Sequence, residues 1–167
     1  VDARPPDLVA PLDPENLNSV VEAERLVGYD VPTPPLLPLG FELKRVAWVY
    51  DSVRLFYGPE TSSGFALMIF MGPAALNQTG PCTDCPAGTS EAVQVGGWQG
   101  WYWRGIYHTG ASLPGKPAPT PEWQADALQW QITWNTDALW ISLWFAPSEA
   151  GMEMNKATLI AIAESLR

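Results

Sequence analysis

The sequence predicts an α+β domain: an antiparallel β-sheet of about six to seven strands with an N-terminal and a C-terminal helix packed on one face. Two observations predict this class. Apolar and polar residues alternate through the middle of the chain, as they do in half-buried strands. Helical periodicity is found only near the two ends, an order of elements typical of α+β folds. The chain has 167 residues, and we expect one domain over 1–167.

The clearest strand pattern lies within residues 128–145. Its two apolar rows share one face of a sheet if Trp134 pairs with Leu139, which leaves residues 135–138 as the loop of a hairpin. A slip of one residue would turn one row to the other face, so the pattern specifies the pairing well. The second face then carries polar side chains and tryptophans: Gln129, Gln131, Thr133, Trp140, Ser142 and Trp144.

The N-terminal part predicts a tail followed by a helix. Residues 1–12 are rich in proline and lack periodicity, so we expect a tether or a loosely docked tail. Asp13 and Pro14 predict the start of a helix, because an acid suits the N-cap and proline suits the first helical position. Gly28 predicts the end of that helix. Residues 29–38 are again rich in proline and must be extended.

Three strands bounded by turn residues are predicted next, at 41–50, 53–57 and 65–71. The third is apolar on both faces, which favours a central position in the sheet. Two long loops follow, one over 74–89 and one over 109–122. Loops of this length are usually functional or mobile.

The glycine pair Gly96 and Gly97 predicts a tight hairpin turn between two further strands. The first of these strands contains Val93 and Val95, and the second runs from Trp98 through Ile106. At the C-terminus, Asn155 predicts the cap of a helix whose apolar residues recur with helical spacing. Those residues are Leu159, Ile162, Ala163 and Leu166.

The two cysteines, Cys82 and Cys85, lie three residues apart between prolines. A redox site would need a helix N-terminus after a strand, and a zinc site would need four ligands. The chain has one histidine and no third cysteine, so we predict a small structural disulfide and neither a metal nor a cofactor. Free thiols remain the alternative. A disulfide implies an oxidising compartment.

The charge balance excludes some partners. Nine Lys and Arg stand against 18 Asp and Glu, giving a net charge of −9. Nucleic acids and anionic lipid head groups both need a basic face, so we expect neither as a partner. The longest apolar run, 65–71, is too short to cross a bilayer. The chain begins at Val1 without a signal-peptide pattern, so we expect membrane association only through an upstream anchor that is absent here.

Several stretches, taken in order, carry a resemblance to a known family. They are residues 22–24, 28–32, 37–41, 53–57, 93–97, 100–102, 128–130 and 159–166. The chain resembles a bacterial extracytoplasmic family, domain of unknown function 4367, which is found beyond the membrane span of anti-sigma-factor-like proteins. The resemblance implies a place outside the membrane and a sensing or binding role, and it implies no reaction. The chain departs from the family at Leu39, where an acid is usual, and in its two long loops.

Catalytic motifs are not evident. A Ser-His-Asp or Cys-His arrangement would have to use His108, and the sequence around it has neither a nucleophile elbow nor an orienting partner. We therefore interpret His108 as an ordinary loop histidine and predict no catalytic residue. A pair of carboxylates on facing strands, as in glycosidases, stays an alternative because spatial distance is not visible in a sequence.

The remaining signal is aromatic. If Val95 pairs with Trp98, then Trp101 and Trp103 lie on the face opposite the valines. Trp140 and Trp144 lie on the second face of their own hairpin, so all four tryptophans can share one side of the sheet. A helix packed on them would explain all four and is the more ordinary explanation. The other explanation is an aromatic groove for an apolar, glycan or peptide ligand, which predicts that Trp101 and Trp140 are partly exposed and line one concavity.

Together these observations predict an extracytoplasmic, non-catalytic sensing or ligand-binding module of a membrane-anchored regulatory protein. We expect an unidentified ligand or protein as its partner. One alternative is a carrier that binds lipid or glycan on the aromatic sheet face. The other is a hydrolase with a carboxylate site that the sequence does not reveal.

Overall fold

The structure is a computed structural model, and it describes residues 15–76, 80–110, 120–147 and 154–166. The described part contains two helices, α1 (Val20–Val27) and α2 (Lys156–Ser165). Its ten strands, in chain order, are β1 (Glu15–Leu17), β2 (Phe41–Val49), β3 (Ser52–Pro59), β4 (Leu67–Pro73), β5 (Glu91–Val95), β6 (Trp98–Arg104), β7 (Ile106–His108), β8 (Glu122–Gln124), β9 (Trp130–Asn135) and β10 (Leu139–Phe145). The expected tail at residues 1–12 lies outside the described residues.

Eight strands form one antiparallel sheet in the order β1-β2-β3-β4-β10-β9-β6-β5, and β7 pairs with β8 separately. The α+β class and the antiparallel pairing are therefore confirmed, whereas the predicted count of six to seven strands is too low. The strand that is apolar on both faces, β4, lies in the middle of the sheet between β3 and β10, as predicted. It continues into a single 3-10 turn at Ala74–Leu76.

The start of the N-terminal helix was predicted wrongly. The helix is capped by Ser19, whose hydroxyl accepts a hydrogen bond from the Glu22 amide at 3.1 Å. The residues before it form β1, which pairs with β2 so that buried Leu17 lies opposite Val46. Pairing with β2 places Leu17 in the hydrophobic core, so these residues extend the sheet rather than the helix. The predicted end is confirmed, since Gly28 has the left-handed φ of 75° that favours glycine.

The hairpin of β9 and β10 has the predicted faces but not the predicted pairs. Trp134 lies opposite Ile141 rather than Leu139, a shift of two residues. The turn is tighter than expected because Thr136 closes it: its amide donates to the Leu139 carbonyl at 2.8 Å, and its hydroxyl accepts from the Leu139 amide at 3.0 Å. A two-residue shift leaves every side chain on its predicted face.

The glycine hairpin was predicted correctly, with Val95 opposite Trp98 and Val93 opposite Gly100. Asn155 caps α2 as predicted, since its side-chain oxygen accepts from the Thr158 amide at 2.8 Å.

One hydrophobic core lies between the sheet and the two helices. Buried residues from both helices belong to it, among them Ala23 of α1 and Leu159 and Ile162 of α2. The inward rows of β3, β4, β9 and β10 supply most of the rest, which are Val53, Leu55, Tyr57, Leu67, Ile69, Met71, Trp130, Ile132, Trp134, Leu139, Ile141, Leu143 and Phe145. Both helices therefore pack on the same face of the sheet, as predicted. No helix within the described part of the chain is long and apolar enough to cross a membrane.

Candidate functional site

The strand register places all four predicted tryptophans on the face of the sheet opposite α1 and α2, here called the helix-free face. Ile141 and Leu143 point into the core, so Trp140 and Trp144, which alternate with them, point the other way. Trp101 lies opposite Thr133, and Trp103 opposite Gln131, on the same side. The explanation that one of the two described helices covers these tryptophans is therefore wrong.

A concavity of about 640 Å³ opens on the helix-free face. Three of the four tryptophans line it: Trp103, Trp140 and Trp144. The other residues of its lining are Val49, Tyr50, Asp51, Ser52, Arg54, Phe70, Leu76, Gln131, Thr133 and Ser142. The register therefore brings together side chains from β3, β4, β6, β9 and β10, which are distant in sequence.

The expectation that Trp101 and Trp140 are both partly exposed and line one concavity is met only in part. Trp101 is half-buried but does not line this concavity. Trp140 does line it, yet only 6% of its surface is exposed. The reason is Gly72, its partner on β4: a Cβ at that position would lie 2.7 Å from the Trp140 indole nitrogen. The glycine leaves a slot in which the indole lies flat against the sheet.

Buried polar side chains lie between the aromatic ones. Thr133 and Ser142, which face each other on β9 and β10, are both buried. Gln131 donates its amide N–H to the Ser142 hydroxyl oxygen at 2.9 Å, and Thr133 donates its hydroxyl to the Ile141 carbonyl at 3.2 Å. Because Ser142 accepts the bond from Gln131, its own hydroxyl proton is available to a further acceptor.

Two indole N–H groups add to this set of donors. The Nε1 atoms of Trp140 and Trp144 are buried and have no hydrogen-bond partner among the described residues. Leaving a buried donor unsatisfied costs about 1–3 kcal/mol, so such groups are uncommon and call for an explanation. Here both lie beside the same concavity.

A chain of aromatic rings leads from the concavity across the helix-free face. Phe70 contacts Trp144 edge-to-face at 6.0 Å between ring centroids, and Phe56 contacts Phe70 at 6.5 Å. Phe65 contacts Phe56 in turn at 4.9 Å. Edge-to-face contacts of this kind are worth about 0.5–1.5 kcal/mol each beyond the area that they bury.

Two guanidinium groups stack on these rings. Arg54 lies 5.3 Å from the Phe70 centroid, and Arg45 lies 3.9 Å from that of Phe56. The ion pairs found among the described residues are Lys44–Glu42 and Lys156–Glu91, and neither involves these arginines. Arg54 and Arg45 therefore keep their charge available on the helix-free face, with cation–π contacts rather than carboxylates as described partners.

Tyr50 lies at the rim of the concavity in the two-residue turn between β2 and β3. Its φ is 54°, and it is the only non-glycine residue with a positive φ in the described part of the chain. A bulky residue rarely adopts this conformation, and such strain is found most often at functional sites. The side chain is 57% exposed beside the opening. The prediction that a strand continues through Tyr50 is wrong by this one residue.

The predicted disulfide between Cys82 and Cys85 is confirmed, with Cα atoms 5.4 Å apart. The Cys82 amide donates to the Ser90 hydroxyl at 2.9 Å, which ties the loop to the start of β5. Both cysteines line a second concavity of about 280 Å³ that shares Trp103 and Trp144 with the first. The disulfide loop therefore forms a wall beside the aromatic site.

The hairpin of β7 and β8 completes that wall. Trp123 and Tyr107, which both line the second concavity, contact each other edge-to-face at 5.2 Å. Gly105 lets the Trp123 ring lie against the backbone, because the ring fills the space that a Cβ would occupy. Its φ of 117° also favours glycine. His108 belongs to this hairpin and is exposed.

The larger concavity carries indole, hydroxyl and guanidinium groups that can bind a ligand. Asp51 is the one carboxylate among its described lining residues, so a second carboxylate of the kind that glycosidases use is not found there. Among the described residues, no three of His, Cys, Asp and Glu lie close enough to hold a metal ion.

Sequence reasoning missed several residues of the site, among them Tyr50, Arg54 and Phe70, and it missed Gly72 beside it. Arg54 and Phe70 alternate with core residues, and this period-two pattern could have placed them on the helix-free face. No signal in the sequence pointed to Tyr50 or Gly72, because their roles depend on a backbone angle and on the residue opposite.

Fold and site together define an α+β domain whose sheet carries an aromatic concavity on its helix-free face. Comparisons with models of protein families, with curated proteins and with solved structures found no match. The resemblance to domain of unknown function 4367 therefore stays a prediction.

Proposed function

We propose that this protein is a non-catalytic module that binds a small ligand on the helix-free face of its sheet. One observation carries the proposal: three indoles and two buried hydroxyl groups meet in a concavity of about 640 Å³. Sites for small molecules have volumes of about 300–1,000 Å³ and combine apolar walls with a few oriented polar groups. The indoles of Trp103 and Trp144 supply the walls, and Ser142 and Thr133 supply the polar groups.

The location that we propose is extracytoplasmic. Disulfides form and persist in oxidising compartments, so the Cys82–Cys85 bond supports this location. A role as the sensing part of a membrane-anchored regulatory protein rests on the family resemblance alone. It would be supported by a membrane span and a cytoplasmic sigma-factor-binding segment in the same gene product.

A carrier of lipid or glycan is the second candidate. The aromatic chain from Trp144 through Phe70 and Phe56 to Phe65 favours it, because this surface continues well beyond the concavity. A carrier must release its ligand to an acceptor, whereas a sensor must change its contacts with a partner. Transfer of a bound lipid to vesicles would favour the carrier.

The binding site is tested with N-phenyl-1-naphthylamine, a neutral aromatic probe whose fluorescence rises in apolar surroundings. We expect saturable binding that quenches tryptophan emission. Trp144→Ala removes one wall of the concavity, and we expect it to raise the Kd at least about tenfold, since a buried aromatic side chain contributes about 1.5–3 kcal/mol.

The matched control is Trp98→Ala. Trp98, at the start of β6, does not line the concavity and lies beside α2 on the other face of the sheet. We expect the Kd of this variant to stay within about twofold of that of the unsubstituted protein. Circular dichroism verifies that both variants are folded. Absence of saturable binding, or an equal loss in both variants, would refute the site.

A further inference from the structure

We propose that the ligand is an amphipathic acid, with an apolar body and one carboxylate, sulfonate or phosphate group that binds Arg54. This inference rests on the proposed binding function and specifies the class of ligand. Three observations support it: hydrogen-bond donors without a described acceptor, the position of Arg54, and the volume of the concavity.

Three hydrogen-bond donors beside the concavity have no described acceptor. The indole N–H groups of Trp140 and Trp144 have no described partner, and the Ser142 hydroxyl can still donate. The Thr133 hydroxyl already donates its proton to the Ile141 carbonyl, so it is not counted among the donors available to a ligand. The oxygens of an ionised acid accept hydrogen bonds only, so an acidic group is complementary in type to these donors.

Arg54 supplies the matching charge. Its side chain is half-buried and lies over the Phe70 ring, so its guanidinium is less screened by water than that of an exposed arginine. The chain has twice as many acids as bases, yet no described carboxylate pairs with Arg54. Guanidinium binds carboxylate, sulfonate and phosphate groups through parallel N–H bonds, which makes it the usual partner of such ligands.

Asp51 also lines the concavity and would repel an acid. It is exposed at the tip of the β2–β3 turn, where solvent screens its charge, whereas Arg54 lies on the sheet itself. The acidic end of the ligand therefore fits at Arg54, inside the rim.

The apolar body of the ligand then has a defined direction. An acid bound at Arg54 lies beside Phe70, and the ring of Trp144 is the next one along at 6.0 Å between centroids. Trp103, which also lines the concavity, faces this body from β6. The volume of about 640 Å³ matches a molecule of drug or lipid-chain size and not a folded protein domain.

Two probes with the same rings test the charge directly. 1-Anilinonaphthalene-8-sulfonate carries a sulfonate, and N-phenyl-1-naphthylamine is its uncharged counterpart. We expect Arg54→Gln to weaken binding of the sulfonate about tenfold and of the neutral probe less than about twofold, because charge-assisted hydrogen bonds are lost only with the first. We also expect added salt to weaken binding of the sulfonate probe and to leave binding of the neutral probe unchanged.

Arg25→Gln is the matched control, because it removes the same charge from an exposed position on α1, behind the sheet. We expect it to change neither Kd by more than about twofold. If Arg54→Gln weakens both probes equally, or neither, the acid is not recognised by Arg54 and this inference is wrong. Loss of both probes in Trp144→Ala would still support the binding site, so the two proposals fail separately.

Competition identifies the source of the acid. Dodecanoate represents a lipid acid, and 1-naphthoate an aromatic acid, while dodecyl maltoside is an uncharged amphiphile. We expect at least one of the acids to displace the sulfonate probe from the unsubstituted protein at lower concentration than the maltoside does. Displacement by the maltoside alone would contradict the inference and favour a neutral lipid or glycan.

Discussion

At the scale of single residues, the site depends on one glycine as much as on its aromatic side chains. Trp140 is a large residue on the sheet face opposite α1 and α2, yet it is buried because Gly72 on the neighbouring strand leaves room for its ring. Its indole then forms part of the floor of the concavity, next to Ser142, and does not stand up from the sheet as a strand tryptophan ordinarily would.

We therefore expect Gly72→Ala to disturb the site. The new methyl group would lie 2.7 Å from the Trp140 indole nitrogen, and overpacking of this kind costs about 1–3 kcal/mol. Denaturant unfolding measures the loss, and tryptophan emission reports the movement of the ring. Gly80→Ala is the control, since nothing lies within 4 Å of its added Cβ. Equal unfolding free energies for the two variants would contradict this account of Trp140.

At the scale of elements, the disulfide loop and the hairpin of β7 and β8 give the aromatic face its side wall. The loop closes on itself through Cys82 and Cys85 and is tied to β5 through Ser90. Helix α2 stabilises the sheet from behind, because Leu159 and Ile162 are fully buried in the core. The wall therefore stands on one side of the sheet, and the helices that stabilise the sheet lie on the other.

Removing the disulfide should affect binding more than stability. In the chain-entropy model a loop this short contributes only on the order of 2 kcal/mol. We expect the double variant Cys82→Ser, Cys85→Ser to fold, with a moderate fall in unfolding free energy, and to bind N-phenyl-1-naphthylamine more weakly because the wall beside Trp103 and Trp144 loosens. Unchanged affinity in the folded double variant would show that the loop does not shape the site.

At the scale of the whole molecule, the core constrains tyrosines that face the helices. Burial, together with the nearby charge of Asp51, raises the pKa of Tyr29 to about 12. Its hydroxyl contacts the carbonyls of Asp51 and Met71, at 3.4 Å and 3.3 Å, and so joins the segment after α1 to the β2–β3 turn and to β4. Burial also raises the pKa of Tyr57 and of Tyr102.

These shifts predict loss of stability in alkali. A tyrosine in the unfolded chain ionises near pH 10, whereas Tyr29 in the folded protein ionises near pH 12. Between these pH values only the unfolded state releases the proton. The contribution of Tyr29 to stability is therefore complete below pH 10 and falls as the pH rises to about 12. We expect Tyr29→Phe to make the fall in unfolding free energy between pH 9 and 12 shallower, as measured by urea denaturation. An unchanged slope would contradict the assignment.

Local sequence patterns were sufficient to predict the composition of the two sheet faces. Strand side chains alternate with period two. Trp140 and Trp144 were therefore predicted on the correct face, the one away from Ile141 and Leu143, although the predicted register was wrong by two residues. The same rule placed Trp101 and Trp103 correctly from a single glycine turn. The cap at Asn155 and the disulfide were also predictable, because both depend on residues that are close in sequence.

The face that the helices cover and the residues that line the concavity could not be predicted from local patterns, because both depend on tertiary contacts. Both faces of the central strands are rich in apolar residues, so alternation cannot say on which side α1 and α2 lie. The start of α1 depended on pairing between Leu17 and Val46, which are far apart in the chain. The meeting of Arg54, Phe70 and Trp144 likewise depends on strand order, because β10 follows β4 in space but not in sequence. Local patterns specify faces and turns, whereas contacts between distant strands specify the site.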